Sequence, residues 1–208
     1  METDVFVAWF EEAARLVRAD RDRLTRLDAA IGDADHGTNL DRGLTEVCKT
    51  LAEAPPDSPA RVLSTAGATL IRRVGGASGP LYGSVFRQMG KTLEGQEAPV
   101  TLAGFAGAFE EGVVAVERLG KAALGDKTMV DALAPASRAL ALAVRDGAGV
   151  REAAGQAAQA AEQGARATIP MQARKGRASY LGERSIGHED PGAASAALIM
   201  AALAAVVA

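Results

Sequence analysis

The sequence predicts an all-α fold, a closed barrel or bundle of antiparallel helices, and three observations predict it. Apolar residues recur at helical spacing along most of the 208 residues, and no segment shows the strict alternation of a half-buried strand. Aromatic residues make up only 4% of the chain while alanine is abundant, which suits closely packed helices better than sheets. Residues of the apolar class make up 48%, enough for a substantial core in a single domain spanning 1–208.

Eight helical segments account for the pattern. The first spans about Asp4 to Leu27, with Phe6, Trp9, Phe10, Ala13, Leu16, Val17, Leu24 and Leu27 as its stripe. The second starts near Thr38, where Thr38-Asn-Leu-Asp41 reads as a capping-box variant, and carries Leu40, Leu44, Val47, Cys48 and Leu51 inward. Ala54-Pro-Pro-Asp-Ser-Pro59 ends it, and Ser58-Pro59 opens the third in cap-then-proline order. The fourth follows Gly75-Gly-Ala-Ser-Gly-Pro80, capped by Ser78 or Gly79. The fifth begins at Thr101, packs Leu102, Phe105, Phe109, Val113, Val116 and Leu119, and stops at Gly120. The sixth runs from about Thr128 to Val144 with a bend at Pro135. The seventh is the alanine-rich Val150 to Thr168, and the eighth starts at Asp190-Pro191.

Between the last two lies 169–189, with no apolar periodicity, three glycines and five basic residues counting His188. A loop this long inside a compact domain is usually functional or disordered. Ile169, Met171, Tyr180, Leu181 and Ile186 argue for an ordered, packed loop.

Composition excludes several classes. A net charge of −3 argues against a general nucleic-acid binder. One cysteine, Cys48, rules out an internal disulfide framework and makes a reducing cytoplasm the default. The acidic, amphipathic start does not read as a signal peptide. Gly192 to Ala208 is seventeen residues without a charge, but its small residues partition weakly into lipid, so a buried bundle helix is expected and no membrane association.

Four segments carry chemistry. Asp28-Ala-Ala-Ile-Gly-Asp33-Ala-Asp35-His36-Gly-Thr-Asn39 places three carboxylates in twelve positions. Gly32 lets the chain turn back, and alternation around Ala34 puts Asp33 and Asp35 on one side of an extended stretch. The helix start that follows favours an anion. A hard divalent cation reconciles the two, so a metal–phosphate site, most simply for a nucleotide, stands beside the plainer reading of a solvated loop of caps and turns. Gly75 to Gly83 allows close approach to backbone amides at a helix start, or is a tight interhelical turn. Gly120-Lys-Ala-Ala-Leu-Gly-Asp-Lys-Thr128 nearly spells a P-loop, but Asp126 intrudes and a helix precedes it where a P-loop needs a strand. Lys127 remains within reach of a phosphate there. Arg174, Lys175, Arg177, Arg184 and His188 are placed to close over a polyphosphate as a lid, or to sit solvated. Ser78, His188 and Asp190 make a triad only on paper, without a nucleophile elbow.

Together these segments, with Gly125-Asp-Lys-Thr-Met-Val-Asp-Ala-Leu133 and Ala173 to Gly192, resemble the nucleotide-binding domain of dihydroxyacetone kinases, in particular the free-standing nucleotide-binding (L) subunit of the bacterial enzyme. The resemblance covers essentially the whole chain. It implies a barrel of eight antiparallel helices with a nucleotide, ADP or ATP, at one end. It assigns Asp28, Asp33 and Asp35 to two Mg²⁺. It assigns His36, Gly37, Thr38, Asn39, Ala77, Ser78, Gly120, Met129, Arg177, Asp190, Pro191 and Gly192 to nucleotide contacts. It further implies that dihydroxyacetone sits on a separate substrate-binding subunit, so that this chain is a phosphotransferase subunit with no catalytic nucleophile of its own. In the phosphoenolpyruvate-dependent form a phosphohistidine subunit recharges bound ADP, and a 208-residue chain agrees with that form. In the ATP-dependent form the domains are usually fused. The resemblance also leaves room for a homodimer. A nucleotide-binding regulatory module, a kinase with another acceptor such as a fatty-acid kinase, and a ligand-free bundle are the competing readings.

Overall fold

The computed structural model describes residues 1–96 and 98–208. Among them lie nine α-helices, one 3₁₀ helix and no strand. The helices are α1 Thr3–Ala19, α2 Arg21–Ile31, α3 His36–Glu53, α4 Pro59–Arg73, α5 Ser78–Thr92, α6 Leu102–Gly120, α7 Val130–Arg145, α8 Val150–Ala167 and α9 Pro191–Val206. The 3₁₀ helix, Arg177–Ser185, lies in the connection before α9 and is kinked at Gly182.

Each helix from α3 to α9 packs on its neighbour in the chain, and α1 packs on both α9 and α3. The helices therefore close on themselves. Neighbours joined by turns as short as 74–77 or 146–149 run antiparallel, so α3, α5, α7 and α9 start at the same end of the barrel. That alternation, set by connection length, positions the site.

An aromatic cluster fills the interior at α1, α5 and α6. Phe6, Trp9, Phe10, Phe86, Phe105 and Phe109 are all buried, with ring centroids 4.9–6.2 Å apart. Edge-to-face pairs such as Phe10 with Phe86 add to the area they bury. The indole of Trp9 donates to the Ile199 carbonyl at 2.7 Å, tying α1 to α9. On the opposite wall alanines set the spacing: Ala153, Ala154, Ala157, Ala161 and Ala165 of α8 are all buried. No described helix is long and apolar enough to cross a membrane.

Three expectations change. The helix expected over Asp4 to Leu27 is two helices, broken at Asp20. The stretch Arg18-Ala19-Asp20-Arg21-Asp22-Arg23 has no large apolar residue to pack, and the Asp20 carboxylate takes Arg23 at 2.7 Å. The capping box at Thr38 is not formed. α3 starts two residues earlier, and Asp41 pairs with Arg18 of α1 at 3.1 Å instead. Nor are the expected anchors of the 169–189 loop all buried. Tyr180 is 88% exposed and Ile169 and Ile186 are exposed too, while Ala173 and Ala178 pack on Ile31. The expected starts at Ser58-Pro59, Thr101 and Asp190-Pro191 are found, the last two with side-chain caps onto Gly104 and Ala193.

Candidate functional site

At the end of the barrel where α3, α5, α7 and α9 begin lies a cavity of about 720 Å³. All four chemistry-bearing segments of the sequence contribute to its wall.

The acidic segment supplies the floor. Oxygens of Asp28, Asp33 and Asp35 lie within 4.8 Å of one another, with Asp28 buried and the other two exposed. Asp28 sits in the last turn of α2. Its Oδ2 accepts from the amides of Asp35 at 2.8 Å and His36 at 3.1 Å, so this carboxylate caps α3 from outside the helix. A side chain at Gly32 has no room: a Cβ there would stand 1.9 Å from Asp28 Oδ1. Ala34 has φ of 65°, a left-handed conformation that costs a residue with a Cβ. The stretch is thus not extended as the alternation suggested. A strained turn brings Asp33 and Asp35 to Asp28. Three carboxylate oxygen donors and no nitrogen or sulfur form a set that suits a hard cation such as Mg²⁺.

The helix starts supply the positive side. The first turns of α3, α5, α7 and α9 point amides without intrahelical partners toward this end. His36, the first residue of α3, is buried, with Nδ1 3.0 Å from Ser78 Oγ and Nε2 2.8 Å from Ser195 Oγ. Burial pushes its imidazole below the ordinary range, against the pull of Asp28 and Asp35. Asp190 caps α9 through Ala193 at 2.7 Å. Burial drives its carboxyl up to about 7, opposed by that amide and by Lys127.

Lys127 borders the cavity, but its ammonium is taken up by backbone carbonyls and is not free for a phosphate. Its side chain is 1% exposed and its ammonium donates to the carbonyls of Thr168 at 2.7 Å, Ile169 at 3.5 Å and His188. A left-handed backbone, φ 62°, turns it inward. Burial lowers its pKa, with Asp190 and Asp131 acting the other way. The two ends of the basic loop are thereby joined through one buried cation. Further bonds reinforce the joint: Asp190 N to Thr168 Oγ at 2.9 Å, Gly187 N to Ile169 O at 2.8 Å and Arg174 N to Asp126 O at 3.0 Å.

From this base the loop returns over the cavity. Arg174, Lys175 and Arg177 line it, whereas Arg184 and His188 do not. Arg177 pairs with Asp33 at 3.0 Å, both side chains being well exposed. Such a pair is weak and exchangeable.

Of the residues that the resemblance assigns, Asp28, Asp33, Asp35, His36, Ala77, Ser78, Met129, Arg177, Asp190, Pro191 and Gly192 line the cavity. Gly37, Thr38, Asn39 and Gly120 lie outside its wall. Gly37 packs where a Cβ would meet the Arg21 carbonyl at 2.2 Å, and Asn39 accepts from Arg42 at 2.8 Å. Ser78 bonds to His36 and not to His188, so the paper triad is not assembled. Reading motifs alone missed Ile31, Leu81 and Tyr82 as wall residues and Ser195 behind them. The spacing of Ser78 and Tyr82, one turn apart on α5, was the available signal for Tyr82.

Comparison with known proteins places the chain in context. The DAK2 domain matches residues 30–205. The ADP-binding subunit DhaL of the PEP-dependent dihydroxyacetone kinase of Escherichia coli (strain K12) is 41% identical over 198 residues, 95% of this chain and 94% of that protein. The corresponding subunit of dihydroxyacetone kinase 2 of Listeria innocua is 43% identical over 203 residues, 96% of this chain and 93% of that protein. Among solved structures, the dihydroxyacetone kinase of C. freundii in complex with AMP-PNP and Mg²⁺ is similar with a TM-score of 0.75 and 26% identity, over 97% of this chain and 34% of that one.

Proposed function

The chain belongs to the DAK2 domain family, and from that premise we propose that it is the ADP-binding subunit of a dihydroxyacetone kinase. In this reading it receives phosphate from a phosphohistidine partner charged by phosphoenolpyruvate, and passes it from the bound nucleotide to dihydroxyacetone on a substrate-binding subunit. The relatives named as PEP-dependent ADP-binding subunits support the donor. The observation that carries the nucleotide site is the meeting, in one cavity, of the Asp28, Asp33 and Asp35 oxygens with four helix starts and three basic loop residues.

Each set of residues has a separate task. Asp28, Asp33 and Asp35 would hold two Mg²⁺, which when bound neutralise charge on the transferring phosphoryl group. The starts of α3, α5 and α9 offer amides to the phosphates, with His36, Ser78 and Gly192 at those starts. Ala77, Met129 and Pro191 line the wall against the nucleoside. Arg177 exchanges its contact with Asp33 for the phosphates and covers them, excluding water. Gly37, Thr38 and Asn39 share the first turn of α3 with His36, and Gly120 ends α6. His36 contributes position, through its bonds to Ser78 and Ser195. Phosphate passes from nucleotide to acceptor, so this chain supplies alignment and electrostatics and no covalent intermediate.

Calorimetry with ADP, with and without Mg²⁺, tests the proposal. Binding should require Mg²⁺ and be lost in Asp33→Asn. Mixed with a substrate-binding subunit, a phosphohistidine donor and dihydroxyacetone, the chain should support product formation. Mg²⁺-dependent ADP binding without product from any substrate subunit would make it a reporter module instead.

A further inference from the structure

At the cavity wall three hydroxyls and one imidazole form a path that leaves α5 at Ser78, passes through His36 of α3 and Ser195 of α9, and returns to α5 at Tyr82. Ser78 Oγ lies 3.0 Å from His36 Nδ1, and His36 Nε2 lies 2.8 Å from Ser195 Oγ. Ser195 Oγ is 2.6 Å from Tyr82 Oη and 3.0 Å from the Gly192 carbonyl, which Tyr82 Oη also approaches at 3.2 Å. Ser195 is fully buried and Tyr82 2% exposed. These residues come from three helices: His36 opens α3, Ser78 opens α5 with Tyr82 one turn on, and Gly192 and Ser195 stand in the first turns of α9.

Counting protons orders the chain. Each hydroxyl has one to give, and an imidazole with one ring proton has one. If Nε2 carries the imidazole proton, it donates to Ser195, Ser195 donates to Gly192 O, Tyr82 donates to Ser195, and Ser78 donates to Nδ1. Four of the five contacts then hold a hydrogen. If Nδ1 carries it, it donates to Ser78 and Ser195 must donate to Nε2; the one Tyr82 proton then serves either Ser195 or Gly192 O, and only three contacts are satisfied. The first arrangement is favoured, and Ser195 selects it. In it Ser195 fixes the imidazole and the imidazole fixes Ser78 at the cavity wall.

We infer that Ser195 and Tyr82 are positioning residues of the ligand cavity: through His36 they set the rotamer of Ser78 and lock the starts of α3, α5 and α9 in the relative placement that makes their amides converge. The inference rests on the reading of the cavity as a nucleotide site. Ser195 does not line the cavity, so it acts only through its neighbours. A largely buried network in which every donor finds an acceptor specifies one arrangement of the helices that carry it, and losing one member leaves its neighbours unpaired.

The test combines nitrogen NMR with binding. In ¹⁵N-labelled protein His36 should show the Nε2–H tautomer, assigned against the other histidine with His188→Gln. Ser195→Ala should mix the tautomers and weaken Mg²⁺–ADP binding about tenfold, the size of one lost buried hydrogen bond. Tyr82→Phe should weaken it less, about threefold, since Ser195 keeps its bond to Gly192 O. Ser78→Ala and Ser195→Ala should be non-additive: once Ser78 is gone, removing Ser195 should cost little more. A purely structural role for Ser195 would give additive losses and an unchanged His36 spectrum, and that result overturns the inference. So does ADP affinity within twofold of wild type in both Ser195→Ala and Tyr82→Phe. If Ser195→Ala does not fold, the cycle between Ser78→Ala and Tyr82→Phe decides by the same criterion. Wild-type protein that binds no Mg²⁺–ADP overturns the nucleotide reading itself, a failure distinct from these.

Discussion

Replacing Lys127 by methionine separates two roles that the sequence leaves open, contact with a phosphate and closure of the loop. Methionine keeps the apolar stem and removes the ammonium, leaving the carbonyls of Thr168 and His188 without their buried partner. The Ile169 carbonyl, 3.5 Å away, keeps its bond from Gly187 at 2.8 Å. Two charge-assisted bonds of roughly 1.5–3 kcal/mol each give a gross loss of about 3–6 kcal/mol. Against this, burial disfavours the ammonium, as its lowered pKa records, and methionine escapes that cost. The net loss is about 2–4 kcal/mol, a large share of a domain's typical stability. In a chain of 208 residues it corresponds to a fall in melting temperature of roughly 5–15 °C. Thermal unfolding gives the total, and hydrogen exchange locates it. The amides of Arg174, Gly187 and Asp190, which bond across the loop base, should lose protection more than those of α4, which lies away from it. ADP affinity should fall as a consequence. A variant with wild-type stability and loop protection but lost ADP affinity would mean that Lys127 does hold a phosphate, and the clasp would be refuted.

Three further outcomes follow from the same geometry. Gly32→Ala puts a Cβ 1.9 Å from Asp28 Oδ1 and should abolish Mg²⁺-dependent ADP binding in calorimetry while far-ultraviolet circular dichroism stays helical; unchanged affinity would show that Asp28 can move aside freely. Arg177→Ala breaks only an exposed pair with Asp33, so stability should change by less than about 1 kcal/mol, whereas ADP affinity should fall about tenfold and lose part of its salt dependence. Asp190, raised to about 7 chiefly by burial, should make ligand-free stability depend on pH. Its folded pKa lies above the unfolded value of about 3.9, so its contribution is complete below about 4 and is lost as pH rises through about 7, with a slope of at most about 1.4 kcal/mol per unit. The groups it faces, Lys127, Asp131 and Asp28, remain in Asp190→Asn, which keeps the cap and should flatten that slope in melting curves at pH 4.5–7.5; an equal slope in both proteins would assign it elsewhere.

Local signals in the sequence located most helix ends, because proline and capping residues act within one turn. Thr101 and Asp190-Pro191 needed no tertiary knowledge, and the alanines of α8 already implied close packing. The acidic cluster was legible as a cluster, since three carboxylates in eight positions must meet whatever turn joins them. The turn itself was not. An extended stretch and a left-handed Ala34 both bring Asp33 and Asp35 together, and only the structure distinguishes them. The start of α3 was misplaced because its amides are capped by Asp28 of the preceding helix, a partner that local capping rules do not consider. Lys127 was misread for a related reason: three carbonyls from distant parts of the chain make burial of its ammonium tolerable, and none is visible in the GDKT stretch. Tyr180 shows the reverse error. An aromatic residue in a long loop suggested an anchor, but small residues, Ala173 and Ala178, make the contact with Ile31.

Asp28 explains why the cavity can be built before any ligand arrives. Three carboxylates facing one another repel, and an acidic cluster of this kind would be expected to spread apart. One oxygen of Asp28 is committed to the amides of Asp35 and His36, so part of its charge is spent on the positive end of α3. Gly32 permits that approach, because any larger residue would drive the carboxylate away. Arg177 takes up charge on Asp33 from the loop side. The same two contacts fix Asp35 and the first turn of α3 in place, and His36 then carries the arrangement through Ser195 to α9 and through Ser78 to α5. The acidic floor and the positive helix ends are therefore parts of one hydrogen-bonded framework, held together by protein groups. In the proposed reading, a ligand combining divalent cation and phosphate would complete charges already oriented to receive it, which is preorganisation of the kind that phosphoryl transfer rewards.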